Sequence, residues 1–262
     1  MLRYVFAASA AVLLVIPAAA QEKKQLSIRW HGQAFFEIHT SAGTIIVTDP
    51  HAIETPFGER NVKKADLITV SHLHNDYTQV TVVENFDPKK ADQMVWLGVA
   101  PGKGKDPNNG EWISIDKKFK DVHVRTVGTY HDDMRGLMRG KNSVFIFEVD
   151  GLRIVHLGDL GHLLTKDQIK KIGPVDVLMI PVGGVYTING DEAKKVVEQL
   201  NPRFYVIPMH YGVKGYDALL SVDEFKEDQK LEVEHVRDWL KIDANAKPPA
   251  KPKIEILGWD LK

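Results

Sequence analysis

In the segment ITVSHLHNDYTQV, His72, His74 and Asp76 occupy alternate positions directly behind an apolar run. Imidazole and carboxylate groups are costly to bury, and three in alternation at the end of a run suggest a shared ligand. An extended backbone has a side-chain period of two, so the three face one side if the segment stays extended. The same residue types recur where other β-branched runs stop. Asp49 follows TIIVT, His131 follows RTVGTY, Asp159 follows RIVHLG and His210 follows FYVIPM. Loops at strand ends gather on one rim in layered α/β proteins, so five such ends can serve one site. There is no cysteine, which excludes disulfides, a thiol nucleophile and a thiolate zinc site. A metal in this chain must be held by His and carboxylate groups.

The elements that would position these residues read as follows. QLSIRW, AFFEIHT and TIIVTDP are short β-rich runs, and ADLITV, a buried strand, delivers the histidine cluster. SVFIFEVDGLRIVHLGD is a hairpin turning at Asp150-Gly151. Thr165 and Gln168 form a capping box for a helix that Gly173-Pro174 ends. VDVLMIPVGG is a strand covered on both faces. Asn189 caps a helix whose Ala193, Val196, Val197 and Leu200 make one apolar face. SVDEFKEDQKLEVEHVRDWLKI reads as partly helical, DANAKPPAKPK as a linker and IEILGW as a last strand. Strands first, then strand–helix alternation, give an α/β fold of two sheets between helical layers.

The constellation resembles the metallo-β-lactamase superfamily, whose metal motif HxHxDH is followed by distant His, Asp and His. Here it reads His72-Leu73-His74-Asn75-Asp76-Tyr77, with His131, Asp159 and His210 downstream. The phrases WHGQAFFEI, VTDP, HLGDLGH, VDVLMIPVGGVYT and VIPMHY are similar to the stand-alone metal-dependent hydrolases related to ascorbate-phosphate lactonases. The resemblance spans about Leu26 to Gly212 and implies an αββα sandwich. It implies that His72, His74 and His131 hold one metal, that Asp76 and His210 hold a second, and that Asp159 bridges them. It gives Asp49 a role in supporting the ligand loop. The implied chemistry is hydrolysis of an ester, lactone, amide or phosphodiester by metal-bound hydroxide, with Asp76 or Asp159 handling the proton. Zn²⁺ is the expected ion, one or two per chain, with Mn²⁺ or Fe²⁺ compatible with the same donors.

Tyr77 stands where the family has its last motif histidine, and a neutral phenol is a poor ligand. His162, three residues past Asp159, is a candidate replacement. The site therefore reads as a full two-metal centre, a tight site beside a weaker one, or a single-metal site. A degraded second site also keeps open a non-catalytic binding protein on the same scaffold. His31 lies near the rim, with a supporting role or none. His156 reads as packed or supporting, and His39, His51, His123 and His235 as structural. Arg135, Arg139 and Lys141 form either a solvated face or an attractor for an anionic substrate. Gly183-Gly184 reads as a tight turn, or as a close backbone approach to substrate. No other substrate-binding residue is legible.

The formal net charge of −1 over 262 residues argues against a nucleic-acid partner, so a small molecule is the expected one. The first twenty residues have a basic start at Arg3, an apolar stretch from Tyr4 to Ile16, then Pro17 and small residues. They read as a signal peptide cut between Ala20 and Gln21, giving a periplasmic or secreted chain with no membrane span after processing. A retained anchor is the alternative, although the run is short for one. Residues 21–262 then form a single domain. The sequence carries no reading of the oligomeric state.

Overall fold

The computed structural model describes residues 24–53, 62–74, 78–102 and 110–258. The expected signal peptide, Asp76 and Tyr77 lie outside them. The described chain runs β1 (Gln25–Trp30), β2 (Phe36–His39), β3 (Ile45–Thr48), β4 (Leu67–Val70), α1 (Ala91–Met94) and β5 (Val95–Leu97). It continues through β6 (Asp116–Phe119), β7 (Val122–Tyr130), β8 (Lys141–Val149), β9 (Leu152–His156), α2 (Lys166–Ile172), β10 (Val177–Pro181), α3 (Gly190–Leu200) and β11 (Tyr205–Met209). It closes with α4 (Asp223–Lys226), β12 (Val233–Val236), β13 (Leu240–Asp243) and β14 (Lys253–Leu257). Among the described residues no helix is long and apolar enough to cross a membrane.

The strands form two sheets, ordered β13-β1-β2-β3-β4-β5 and β12-β14-β11-β10-β9-β8-β7-β6. β1 alternates, burying Leu26, Ile28 and Trp30, as a strand with one face on a core should. Its buried residues share a core with Phe145, Phe147, Ile154, Met179 and Ile207 of the other sheet. The opposite face of the first sheet buries Val47 and Ile68 against Val83 and Met94. α3 lays Ala193, Val196 and Leu200 on the second sheet. β10 is buried along its whole length, as its unbroken apolar run requires.

Sheet direction positions the site. β7 and β9 both pair antiparallel with β8, so they run the same way, and β10 and β11 run parallel to β9. Their C-terminal ends therefore share one edge. In the first sheet β3 and β4 are parallel and also end side by side. Ser143 N donates to Ser71 O at 3.0 Å, tying the start of β8 to the segment behind β4.

The helix ends follow the sequence. Thr165 and Asn189 each complete a capping box, Gly173 ends α2 at φ +74°, and Asn201 ends α3 in the left-handed region. The 221–242 segment is helical in part, as read, but over one turn, and it holds two strands that the reading did not include. Only Asp223–Lys226 is helical, and Val233–Val236 and Leu240–Asp243 are strands. Leu240 and Ile242 face inward and pair with β1, with Gln25 opposite Asp243, a partner no local pattern announces.

Candidate metal centre

β4 stops at Val70, and the chain bends at Ser71 and His72. The condition for a two-residue alternation across this stretch is therefore not met. His72 and His74 converge instead through the bend, with ring centroids 4.7 Å apart and planes near perpendicular. His131, directly behind β7, lies 4.8 Å from each of them by ring centroid. One ligand atom from each of the three falls within 4.8 Å of the others.

Asp159 forms the floor. Its Oδ2 lies 3.1 Å from His131 Nε2, 3.4 Å from His210 Nε2 and 3.7 Å from His72 Nε2. Ligands held at about 2.0–2.1 Å in tetrahedral coordination sit roughly 3.3 Å from one another. The spacing is compatible with donors arranged around one ion. Asp159 is 1% exposed, and its Oδ1 has no hydrogen-bond partner among the described residues. Buried carboxylate oxygens without partners are rare and mark a missing ligand or a functional role. The donor set of imidazoles and carboxylate fits a Zn²⁺-, Mn²⁺- or Fe²⁺-type ion.

The charge balance supports this arrangement. Burial holds His72 and His210 below the ordinary imidazole range, so their nitrogens stay available as neutral donors. Burial also pulls His131 down, but the Asp159 carboxylate outweighs it and the pKa is raised. Burial would raise Asp159, but His210, His72 and His131 more than offset it and the carboxyl stays ionised.

Residues behind the ligands hold their orientation. Asp49, at φ +42°, accepts from Ser71 N at 2.6 Å and Ser71 Oγ at 2.7 Å. With its proton donated to Asp49, Ser71 Oγ accepts from His72 Nδ1 at 2.9 Å. That relay puts the His72 proton on Nδ1 and leaves Nε2 as the donor atom facing Asp159. Asn142 accepts from Asp159 N at 3.0 Å and donates to Leu157 O at 2.9 Å. A Cβ on Gly158 would lie 2.3 Å from Asn142 Oδ1, and Gly158 itself sits at φ +56°. Glycine is therefore required for the chain to turn Asp159 inward. His210 is left-handed at φ +51°, and its N donates to Gln33 O at 3.1 Å. The β1–β2 loop of one sheet thus braces His210 of the other. Ser71 and Asn142 escaped the sequence reading, because a serine beside a histidine and an asparagine inside a strand carry no spacing signal. The one local hint was that both sit next to predicted strand ends.

Other candidates are placed elsewhere. His162 Nε2 accepts from Tyr130 N at 3.1 Å and Nδ1 donates to Leu163 O at 2.8 Å, so both nitrogens hold backbone rather than face the cluster. His31 meets Glu37 at 3.1 Å and His39 meets the same carboxylate at 2.6 Å. Burial would raise Glu37, but the two imidazoles lower it to about 2. His156 Nε2 donates to Ala34 O and its Nδ1 accepts from Gly158 N, a supporting position under the Asp159 turn. A Cβ on Gly183 would lie 2.1 Å from His210 O, so glycine here admits the His210 backbone.

A cavity of about 290 Å³ opens over the cluster, lined by His74, His131, Asp159, His210, Arg139 and Tyr186. Of the three basic residues near His131, only Arg139 lines it. Lys141 Nζ instead donates to Gly110 O and pairs with Glu111. Arg139 is held by Val185 O at 3.2 Å and lies 5.2 Å from the Tyr186 ring centroid. Asp132 shapes its loop by accepting from the amides of Met134, Gly136, Met138 and Arg139.

Residues 27–210 match the model of the β-lactamase superfamily domain. A UPF0173 metal-dependent hydrolase of Cupriavidus taiwanensis is 31% identical over 241 residues, covering 80% of this chain and 81% of that protein. One from Pyrococcus furiosus is 30% identical over 203 residues, covering 71% and 85%. Among solved structures, a Thermotoga maritima protein classed with the Zn-dependent hydrolases of the metallo-β-lactamase superfamily is 34% identical with a TM-score of 0.65. That match covers 88% of this chain and 98% of the other.

Proposed function

We propose that this chain, which belongs to the metallo-β-lactamase superfamily and is a metal-dependent hydrolase, cleaves an ester, lactone, amide or phosphodiester bond in a small anionic substrate. The observation that carries this is the approach of three imidazole nitrogens to one ionised, buried Asp159 oxygen at the foot of an open cavity. His72, His74 and His131 hold the tighter ion, preferably Zn²⁺, by analogy with the family motif. His210 and Asp159, with Asp76 from the same motif, hold a second, and Tyr77 makes that position the weaker one. A bound divalent ion supplies Lewis acidity and a water nucleophile active at neutral pH.

The chain's own residues do the rest. The Asp49–Ser71 relay keeps His72 in one tautomer and so fixes where an ion can sit. Asp159 Oδ1 orients the attacking water, takes its proton as the new bond forms and returns it to the leaving group, a task Asp76 can share. Arg139, on the cavity wall and without a carboxylate partner among the described residues, attracts the substrate's negative charge. Metal-stripped protein reloaded with Zn²⁺ or Mn²⁺ should hydrolyse at least one member of a panel of esters, lactones, β-lactams and phosphodiesters. Absence of turnover across the panel with both ions would remove this choice of bonds. We also propose export, supported by the signal-like first twenty residues. Mass spectrometry of a periplasmic fraction should find a chain starting near Gln21, and an intact N-terminus in membranes would refute it.

A further inference from the structure

The large hydrophobic side chains left exposed among the described residues are Met134, Leu137, Met138, Leu163, Val185, Tyr186 and Leu220. All seven sit on segments that follow strands ending at the metal centre. Met134, Leu137 and Met138 follow His131, and Leu163 follows Asp159. Val185 and Tyr186 follow β10, and Leu220 follows His210. The segments touch one another. Arg139 Nη2 reaches Val185 O, Leu220 N donates to Gly183 O at 2.9 Å, and Leu220 Cδ1 lies 3.1 Å from a Cβ built on Gly184. Scattered exposed apolar residues need no explanation, but a set confined to the loops behind the strands that end at one cavity, with Tyr186 on its wall, does.

The mouth also has a charge pattern. Arg139 lines the cavity beside the histidines, packs on Tyr186, and makes no ion pair with a carboxylate among the described residues. Asp132, an acid of the same loop, is occupied by four backbone amides, and exposed Asp133 makes no ion pair with Arg139 among the described residues. An apolar surface outside, a fixed cation at the threshold and metal ligands within match one kind of molecule. We infer that the substrate is a single-chain amphiphile: an anionic head enters past Arg139 to the metal, and an alkyl or acyl tail lies on Leu137, Met138, Val185 and Tyr186. The inference rests on the hydrolase reading and adds the substrate class.

Binding to Zn²⁺-reconstituted protein tests it without requiring turnover. Octylphosphonate and ethylphosphonate share a head and differ in tail. Octylphosphonate should bind at least about ten-fold more tightly, since burying two of its extra methylenes is enough for that factor. The doubly substituted Leu137→Ser/Met138→Ser protein should lose that preference while binding ethylphosphonate as before. Both residues are exposed, so the short probe also reports that the fold is intact. Arg139→Gln should weaken both phosphonates by a similar factor, and octyltrimethylammonium should not compete with either. Equal affinity for the two phosphonates overturns the inference, as does a tail preference that the double variant retains. Binding to anionic phospholipid vesicles that the double variant loses, without a tail preference for free octylphosphonate, would make the rim a membrane-docking surface and overturn it too. A tail preference in a protein that hydrolyses no tested bond would instead count against the bond classes proposed above.

Discussion

β7 carries a histidine near each end, and their surroundings are opposite. At its start His123 is half-buried and doubly partnered, with Glu148 at 3.2 Å on Nδ1 and Asp116 at 2.7 Å on Nε2. Glu148 also meets Arg125 at 3.2 Å and Arg153 at 2.6 Å, so the charges answer one another in reach of solvent. The two carboxylates raise the His123 pKa. Beyond its other end His131 is 1% exposed, beside two more imidazoles and a carboxylate with one oxygen left over. Residue type does not separate these sites. Burial together with an unpartnered carboxylate oxygen does, because a buried polar atom left over in this way marks a place for a ligand.

The largest expected effect is at the buried end. His131→Ala or Asp159→Asn should lower metal affinity by more than about 100-fold, beyond the usual cost of losing a supporting residue, with activity falling alongside. Metal content equal to wild type in either variant would erase the distinction between the two ends of β7.

Next in size is an acid effect at His156, measured on metal-free protein so that metal release does not intrude; His72 and His210, also lowered by burial, add to the same slope in wild type and variant alike. Burial lowers its pKa from 6.5 to about 4. The unfolded chain then binds the proton more readily, so stability is complete above pH 6.5 and is lost as pH falls toward 4. The loss is up to about 3 kcal/mol. Denaturant melts across that window should show the slope, and His156→Gln should flatten it. An unchanged slope would mean that other buried groups set the acid limit.

Ser71→Ala should weaken metal binding by about 10–100-fold, because it cuts the relay to His72 without removing a ligand. A loss as deep as that of His72→Ala would show that Ser71 does more than orient. At the exposed end, Glu148→Gln should cost no more than about 1 kcal/mol and leave metal content untouched. A metal deficit there would mean that the two ends are coupled through β7.

Much of this was legible because strand-end placement is local. A β-branched run that stops at Asp49, His131 or His210 announces itself, as do the Thr165 and Asn189 caps and the Asp150-Gly151 turn. The branch of the family could be read from short phrases around those ends. What escaped depends on distant parts of the chain. Ser71 matters only because Asp49 lies beside it across a parallel register, and Asn142 only because the β8–β9 hairpin brings Asp159 to it. VEHV and LKID are too short and charged to read as strands alone, and become so through β14 and β1. The alternation of His72 and His74 suggested the right neighbours through the wrong geometry, since the segment bends.

The pairing of β13 with β1 has a consequence for how the chain is made. On a ribosome, Gln25–Trp30 emerges more than two hundred residues before the strand that will cover its outer edge. Until then one side of β1 offers unsatisfied amides and carbonyls to any passing strand. Pairings this far apart in sequence are slow to close, and exposed edges invite self-association meanwhile. The vulnerable moment for this protein is thus late in synthesis. Its yield should respond more to elongation rate and chaperone supply than its finished stability would suggest.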